Sequence, residues 1–131
     1  MAAIAFTNAT IFDGVSDEAV PGMNVLVVDG RIEAVSEHPF TGDAMTVFDL
    51  GGRTLMPGLI DAHAHVFAIN LVEEHNRNIP LTEMTARAVP RIRKMLDRGF
   101  TSVRDVAGGD VGIRNAIAQG YIPGPRLFVG G

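Results

Sequence analysis

Residues Gly58 to Val66 read "GLIDAHAHV", and two of the chain's four histidines stand there one residue apart, inside an otherwise apolar run. If the stretch is a β strand, side chains alternate, so Asp61, His63 and His65 share one face and Ile60, Ala62, Ala64 and Val66 the other. Two residues along a strand span about 6.6 Å, a gap that convergent imidazoles can close onto one cation with metal–nitrogen bonds of about 2.0–2.1 Å. In a helix, residues two apart point to nearly opposite sides, so the strand reading is also the metal reading. Packing two imidazoles and a carboxylate together without partners is expensive, and one divalent cation satisfies all three. Taken alone, a His-x-His pair is weak evidence, because so short a motif recurs by chance.

Before this stretch, from Met1 to Pro57, the pattern is one of short, partly alternating apolar runs broken by Gly, Pro and Asp: "AIAFTNATIFDG", "MNVLVVDGRIEAV" and "TVFDLGGRTLMP". Asp29 and Gly30 sit between two such runs, a strong hairpin signal because both turn positions need positive φ. No 3.6-residue period appears, which predicts a small antiparallel β unit of sandwich type without helices. After Pro57 the pattern changes. Met84, Ala88, Ile92, Met95 and Leu96 recur at helical spacing between Leu81 and Arg98, with Gly99 placed to cap the end. Pro90 either kinks that helix or starts a second one. A strand at "FTSVRDV", a Gly-rich turn, a short helix "VGIRNAIAQ" and an apolar run "RLFVGG" complete a β-α-β-α-β order. Such alternation predicts an α/β architecture with a parallel sheet and functional groups at the C-terminal ends of its strands. Two domains are expected, residues 1–57 and 58–131.

Composition narrows the function classes. The chain has 131 residues, 47% of them hydrophobic, enough for a folded core. Its net charge is −4 and its basic residues are scattered apart from Arg91, Arg93 and Lys94, so nucleic acid is not an expected partner. With no cysteine, His, Asp and Glu are the only strong metal ligands available, which suits a cytoplasmic protein. The N-terminus lacks the features of a signal peptide, and no segment approaches the roughly 20 apolar residues of a membrane span, so a soluble, unprocessed protein is expected.

Four segments, "DGRIEAV", "GGRTLMPGLIDAHAHV", "GFTSVRDVAGGD" and "IPGPRLFVGG", together resemble the amidohydrolase superfamily of metal-dependent hydrolases, in particular its imidazolonepropionase-related and prolidase-like branch. The resemblance implies a (β/α)8 TIM-like barrel, incomplete in this chain, preceded by part of a small β domain. It implies that His63 and His65 are metal ligands at the end of the first barrel strand. It also implies a divalent cation, read as Zn2+, with two per complete site. Relatives with two metals add a carbamylated lysine, two further histidines and an aspartate from strands four, five, six and eight, and none of those strands falls within this sequence. The only lysine, Lys94, lies on the amphipathic helix, and His38 and His75 fall in loops. The general base is therefore expected outside the chain, and no catalytic residue is assigned within it.

Other polar residues carry two readings each. Asp61 is a candidate for orienting an imidazole from behind, since metal-bound histidines usually donate their other nitrogen to an acceptor, and equally a candidate for a structural hydrogen bond. Arg104 and Asp105 read best as an ion pair pinning a strand to the next turn. Asp110 reads as a helix cap and the glycines before it as a tight turn without a ligand. His75 with Glu73 and Glu74 offers a second metal cluster, against the more ordinary reading of a solvated or gating loop.

These expectations converge on the N-terminal part of a hydrolase that splits an amide-type C–N bond in a small-molecule or dipeptide-like substrate through metal-activated water. The rival expectation is a non-catalytic fragment or subunit, inactive alone, that needs a homo-oligomer or the remainder of the barrel. Open strand edges would drive that association.

Overall fold

In a computed structural model that describes residues 2–42, 44–67 and 79–130, the chain is a mixed α/β protein made mostly of strands. It divides into two compact units, Met1–Pro57 and Gly58–Gly131.

The first unit contains β1 (Ala3–Ile11), β2 (Val20–Val28), β3 (Arg31–Ser36), β4 (Met45–Asp49) and β5 (Thr54–Leu55). They form one sheet in the order β3-β2-β1-β4, with β5 also paired to β1. The described strands thus supply a single layer of the sandwich-type unit read from the sequence. That layer is mixed rather than antiparallel: β2 runs antiparallel to β1 and β3, whereas β4 and β5 run parallel to β1. Alternation within a strand reports which face is buried, not the direction of its neighbour, so the parallel edge left no trace in the pattern. The Asp29–Gly30 turn is as expected, with φ of 47° and 78°. Asp29 also accepts the Ala2 N–H at 3.0 Å, tying the turn to the start of β1. Further along, Asp13 accepts the backbone N–H groups of Ser16 and Val15, both at 2.8 Å, and these bonds hold its carboxyl below the usual range.

A buried asparagine joins three segments of this sheet. β1 slips register after Phe6 at Asn8, whose φ is 52°. The Asn8 N–H at that slip is taken by Oδ1 of Asn24 at 3.2 Å, while Nδ2 of Asn24 donates to the Ser36 and Glu37 carbonyls at 3.2 and 3.3 Å. The Asn8 carbonyl in turn accepts Gly52 N–H at 2.7 Å, anchoring the turn between β4 and β5. Asn24 is 4% exposed, so water has little access to replace these bonds. Asn24→Ala should therefore destabilise this unit by about 1–3 kcal/mol, the cost of leaving buried polar groups unpaired, as read from the urea midpoint. An unchanged midpoint would contradict that account.

The second unit is a parallel sheet of β6 (Leu59–Ala64), β7 (Phe100–Asp105) and β8 (Arg126–Val129), in that order. Helix α1 (Leu81–Asp97) connects the first pair of strands and α2 (Val111–Ala118) the second, which is the β-α-β-α-β order expected. Met84, Ala88, Ile92 and Met95 of α1 pack on a core of Ala64, Val66, Phe67, Val103, Ile113 and Leu127. Leu96, included in the expected apolar stripe, is instead 37% exposed. Pro90 does not start a second helix. It sits in a continuous 17-residue helix on an exposed position. Gly99, at φ 91°, returns its N–H to Leu96 and gives its carbonyl to Leu59 N–H, so the helix end leads directly into the sheet. Oδ1 of Asp110 caps α2 by accepting Gly112 and Ile113 N–H at 2.8 and 3.1 Å. No described helix is long and apolar enough to cross a membrane.

Candidate metal centre

Parallel pairing sets three strand ends side by side: Ala64 of β6 lies opposite Asp105 of β7, and Asp105 opposite Val129 of β8. His63 lies within β6 and His65 one residue beyond it. Ala64 and Val66, 7% and 0% exposed, enter the core between and after the imidazoles, so alternation holds from His63 to Val66. The imidazole rings stand 5.5 Å apart, centroid to centroid, with their planes inclined at 59°. The rings are tilted rather than stacked.

Asp61 departs from the simple alternating picture. Between the pairs Asp61–Val103 and Ala64–Asp105, β6 advances three residues while β7 advances two, so β6 carries a bulge. Within it, Oδ1 of Asp61 accepts the backbone N–H of His63 at 3.0 Å. Among the described residues, no three His, Asp or Glu side chains form a group that could hold a metal, so Asp61 does not complete a three-ligand set with the imidazoles.

Asp105 corrects the expected ion pair with Arg104. Its side chain is fully buried and turns toward backbone: Oδ2 accepts Val66 N–H at 2.6 Å and Oδ1 accepts Gly109 N–H at 3.1 Å. Arg104 points to the exposed side of the strand. From α1, Nη2 of Arg91 donates to the His65 carbonyl at 3.2 Å. Neither role was visible as a motif, because both bonds go to main chain. The available signal was a strand-end Asp followed by glycines, in "RDVAGGD". His38 is exposed in a loop after β3, its N–H held by Ser36 Oγ. Glu73, Glu74 and His75 lie outside the described residues.

A β-α-β-α-β unit with paired imidazoles at the carboxyl end of its first strand defines a class of α/β proteins whose chemistry belongs at that edge. The chain belongs to the amidohydrolase family, whose sequence profile matches residues 54–131. It superposes on a solved amidohydrolase with a TM-score of 0.91 and 40% identity, covering 98% of this chain and 31% of that one. A prolidase solved with N-methylphosphonate-L-proline gives a TM-score of 0.92 at 32% identity, covering 99% of this chain and 32% of that one. An adenine deaminase of Paracoccus denitrificans is 47% identical over 51 residues, 37% of this chain and 8% of the deaminase. The chain thus spans about a third of the solved relatives and less of the curated one. Members of this family are in general dependent on divalent metals.

The turn after β7 leaves no room for a side chain at Gly109, where a Cβ would lie 2.9 Å from Asp105 Cγ and 3.2 Å from Val66 Cγ2. Gly109→Ala should push the carboxylate off its two N–H partners and lower stability by about 1–3 kcal/mol. A melting temperature equal to that of the parent protein would show that the turn yields freely.

Proposed function

We propose that this chain supplies the N-terminal part of a metal-dependent hydrolase of amide-type C–N bonds, with His63 and His65 as two ligands of a divalent cation. The observation that carries the reading is the close imidazole pair at the end of β6 in a chain of the amidohydrolase family. A ring centroid stands about 3.2 Å from an ion bound at about 2.0–2.1 Å through one ring nitrogen, so two rings on one ion have centroids no more than about 6.4 Å apart. The observed 5.5 Å lies inside that bound, which supports a shared ion. Zinc suits a nitrogen and oxygen donor set without cysteine, and two ions per complete site are proposed. When bound, the cation makes hydroxide available near neutral pH and polarises the scissile carbonyl.

His63 and His65 would hold the ion at the sheet's carboxyl edge. Asp61 remains a candidate for steadying this pair through the His63 backbone. The general base and remaining ligands come from beyond the described strands. In this reading residues 1–57 are part of a small β domain and residues 58–131 the start of a (β/α)8 barrel, which further strands complete, in this polypeptide or another one. Exposed Leu59, Ile60 and Phe128 on the edge strands β6 and β8 support that need for further partners. The likeness to a prolidase supports a small dipeptide-like substrate, and the lack of cysteine supports a cytoplasmic setting.

In the intact protein that carries this chain, His63→Ala and His65→Ala should each abolish turnover and lower bound metal. His38→Ala and His75→Ala should do neither. Metal analysis by mass spectrometry beside a steady-state assay decides it, and unchanged metal content in His63→Ala would refute the assignment.

A further inference from the structure

Both ends of one peptide unit, that between His65 and Val66, are held by charged side chains. The carbonyl of His65 accepts from the Arg91 guanidinium at 3.2 Å, and the N–H of Val66 donates to the Asp105 carboxylate at 2.6 Å. Asp105 and Val66 are both fully buried. The second oxygen of Asp105 takes Gly109 N–H at 3.1 Å. Each carboxylate oxygen takes one backbone N–H, whereas Asn would turn an NH2 donor toward one of them. The backbone of Asp105 extends the tie, since its carbonyl accepts Gly130 N–H at 3.1 Å while the next residue, Val106, donates to Ala64 at 3.1 Å.

We propose that Asp105 and Arg91 are positioning residues for His65: by fixing the peptide plane that follows it, they set where its imidazole stands relative to that of His63. The inference rests on the reading that this pair holds a cation. A bond to a neutral acceptor or to water would leave the peptide free to rock, and a rotation of that plane swings the ring. A charge-assisted bond at each end is stronger and shorter than a neutral one, so the plane is held from two elements at once.

The test uses Co2+ as probe, titrated into the metal-free intact protein and followed by its visible absorption, for the parent, Asp105→Asn, Arg91→Gln, the double variant and Arg91→Lys. Asp105→Asn and Arg91→Gln should each weaken Co2+ binding by about 10-fold, at the low end of the range for residues that orient a ligand, and should alter the absorption band. Because both act on one peptide, the double variant should lose less than the product of the two factors, and Arg91→Lys, which keeps a donor, should recover most of the affinity. Arg91→Gln carries the test if Asp105→Asn fails to fold. Unaltered affinity and spectrum in Arg91→Gln and Asp105→Asn, with only a lower melting temperature, would overturn the positioning role. His63→Ala in the same titration separates the two claims: retained Co2+ binding there refutes the metal reading and this inference with it, whereas lost binding there beside unchanged positioning variants refutes this inference alone.

Discussion

The second unit depends on one buried carboxylate. Asp105 is fully buried, so the fold must supply its hydrogen-bond donors, and it supplies them from the end of β6 and from the turn that leads into α2. That requirement fixes several neighbours. Gly109 must be glycine because a side chain would displace the carboxylate, and Val66 must turn its N–H inward, which places its own side chain in the core. The Asp110 cap then starts α2 at once, leaving only a tight turn between strand and helix. The strand end that carries His65 is therefore determined by a residue 40 positions later in the chain.

The geometry of the imidazole pair follows from this tie together with the bulge in β6. Strict alternation along an unbroken strand would put Asp61, His63 and His65 in one row. The bulge breaks the row before His63, and the Asp61 side chain closes the irregularity on the His63 backbone. What remains in phase is the pair itself, with Ala64 and Val66 anchoring the opposite face. The first unit handles a similar irregularity differently. There a positive-φ asparagine in β1 is accommodated by a second, buried asparagine whose amide satisfies three separate main-chain groups.

Much of this was legible in the sequence because local chemistry and tertiary need agree. The Asp29–Gly30 hairpin, the Asp110 cap, the Gly99 helix end and the β-α-β-α-β order each rest on short-range preferences that burial reinforces. The imidazole pair was legible because a spacing of two has one meaning on a strand. What escaped was non-local. The parallel edge of the first sheet depends on where the chain returns, and the bonds from Asp105, Arg91 and Asn24 go to main-chain groups that carry no residue identity. Of the two readings of Pro90, a second helix is excluded by the unbroken α1. The family resemblance was legible from the junction segment, and the profile match over residues 54–131 agrees with it.

The central claim is that the end of β6 presents two imidazoles to one ion. Anomalous X-ray scattering from a crystal of the intact, metal-loaded protein tests it most directly, because it locates the metal without reference to activity. The account predicts that one anomalous peak lies within about 2.0–2.2 Å of a ring nitrogen of both His63 and His65. Bound metal of which no ion touches both rings would contradict it.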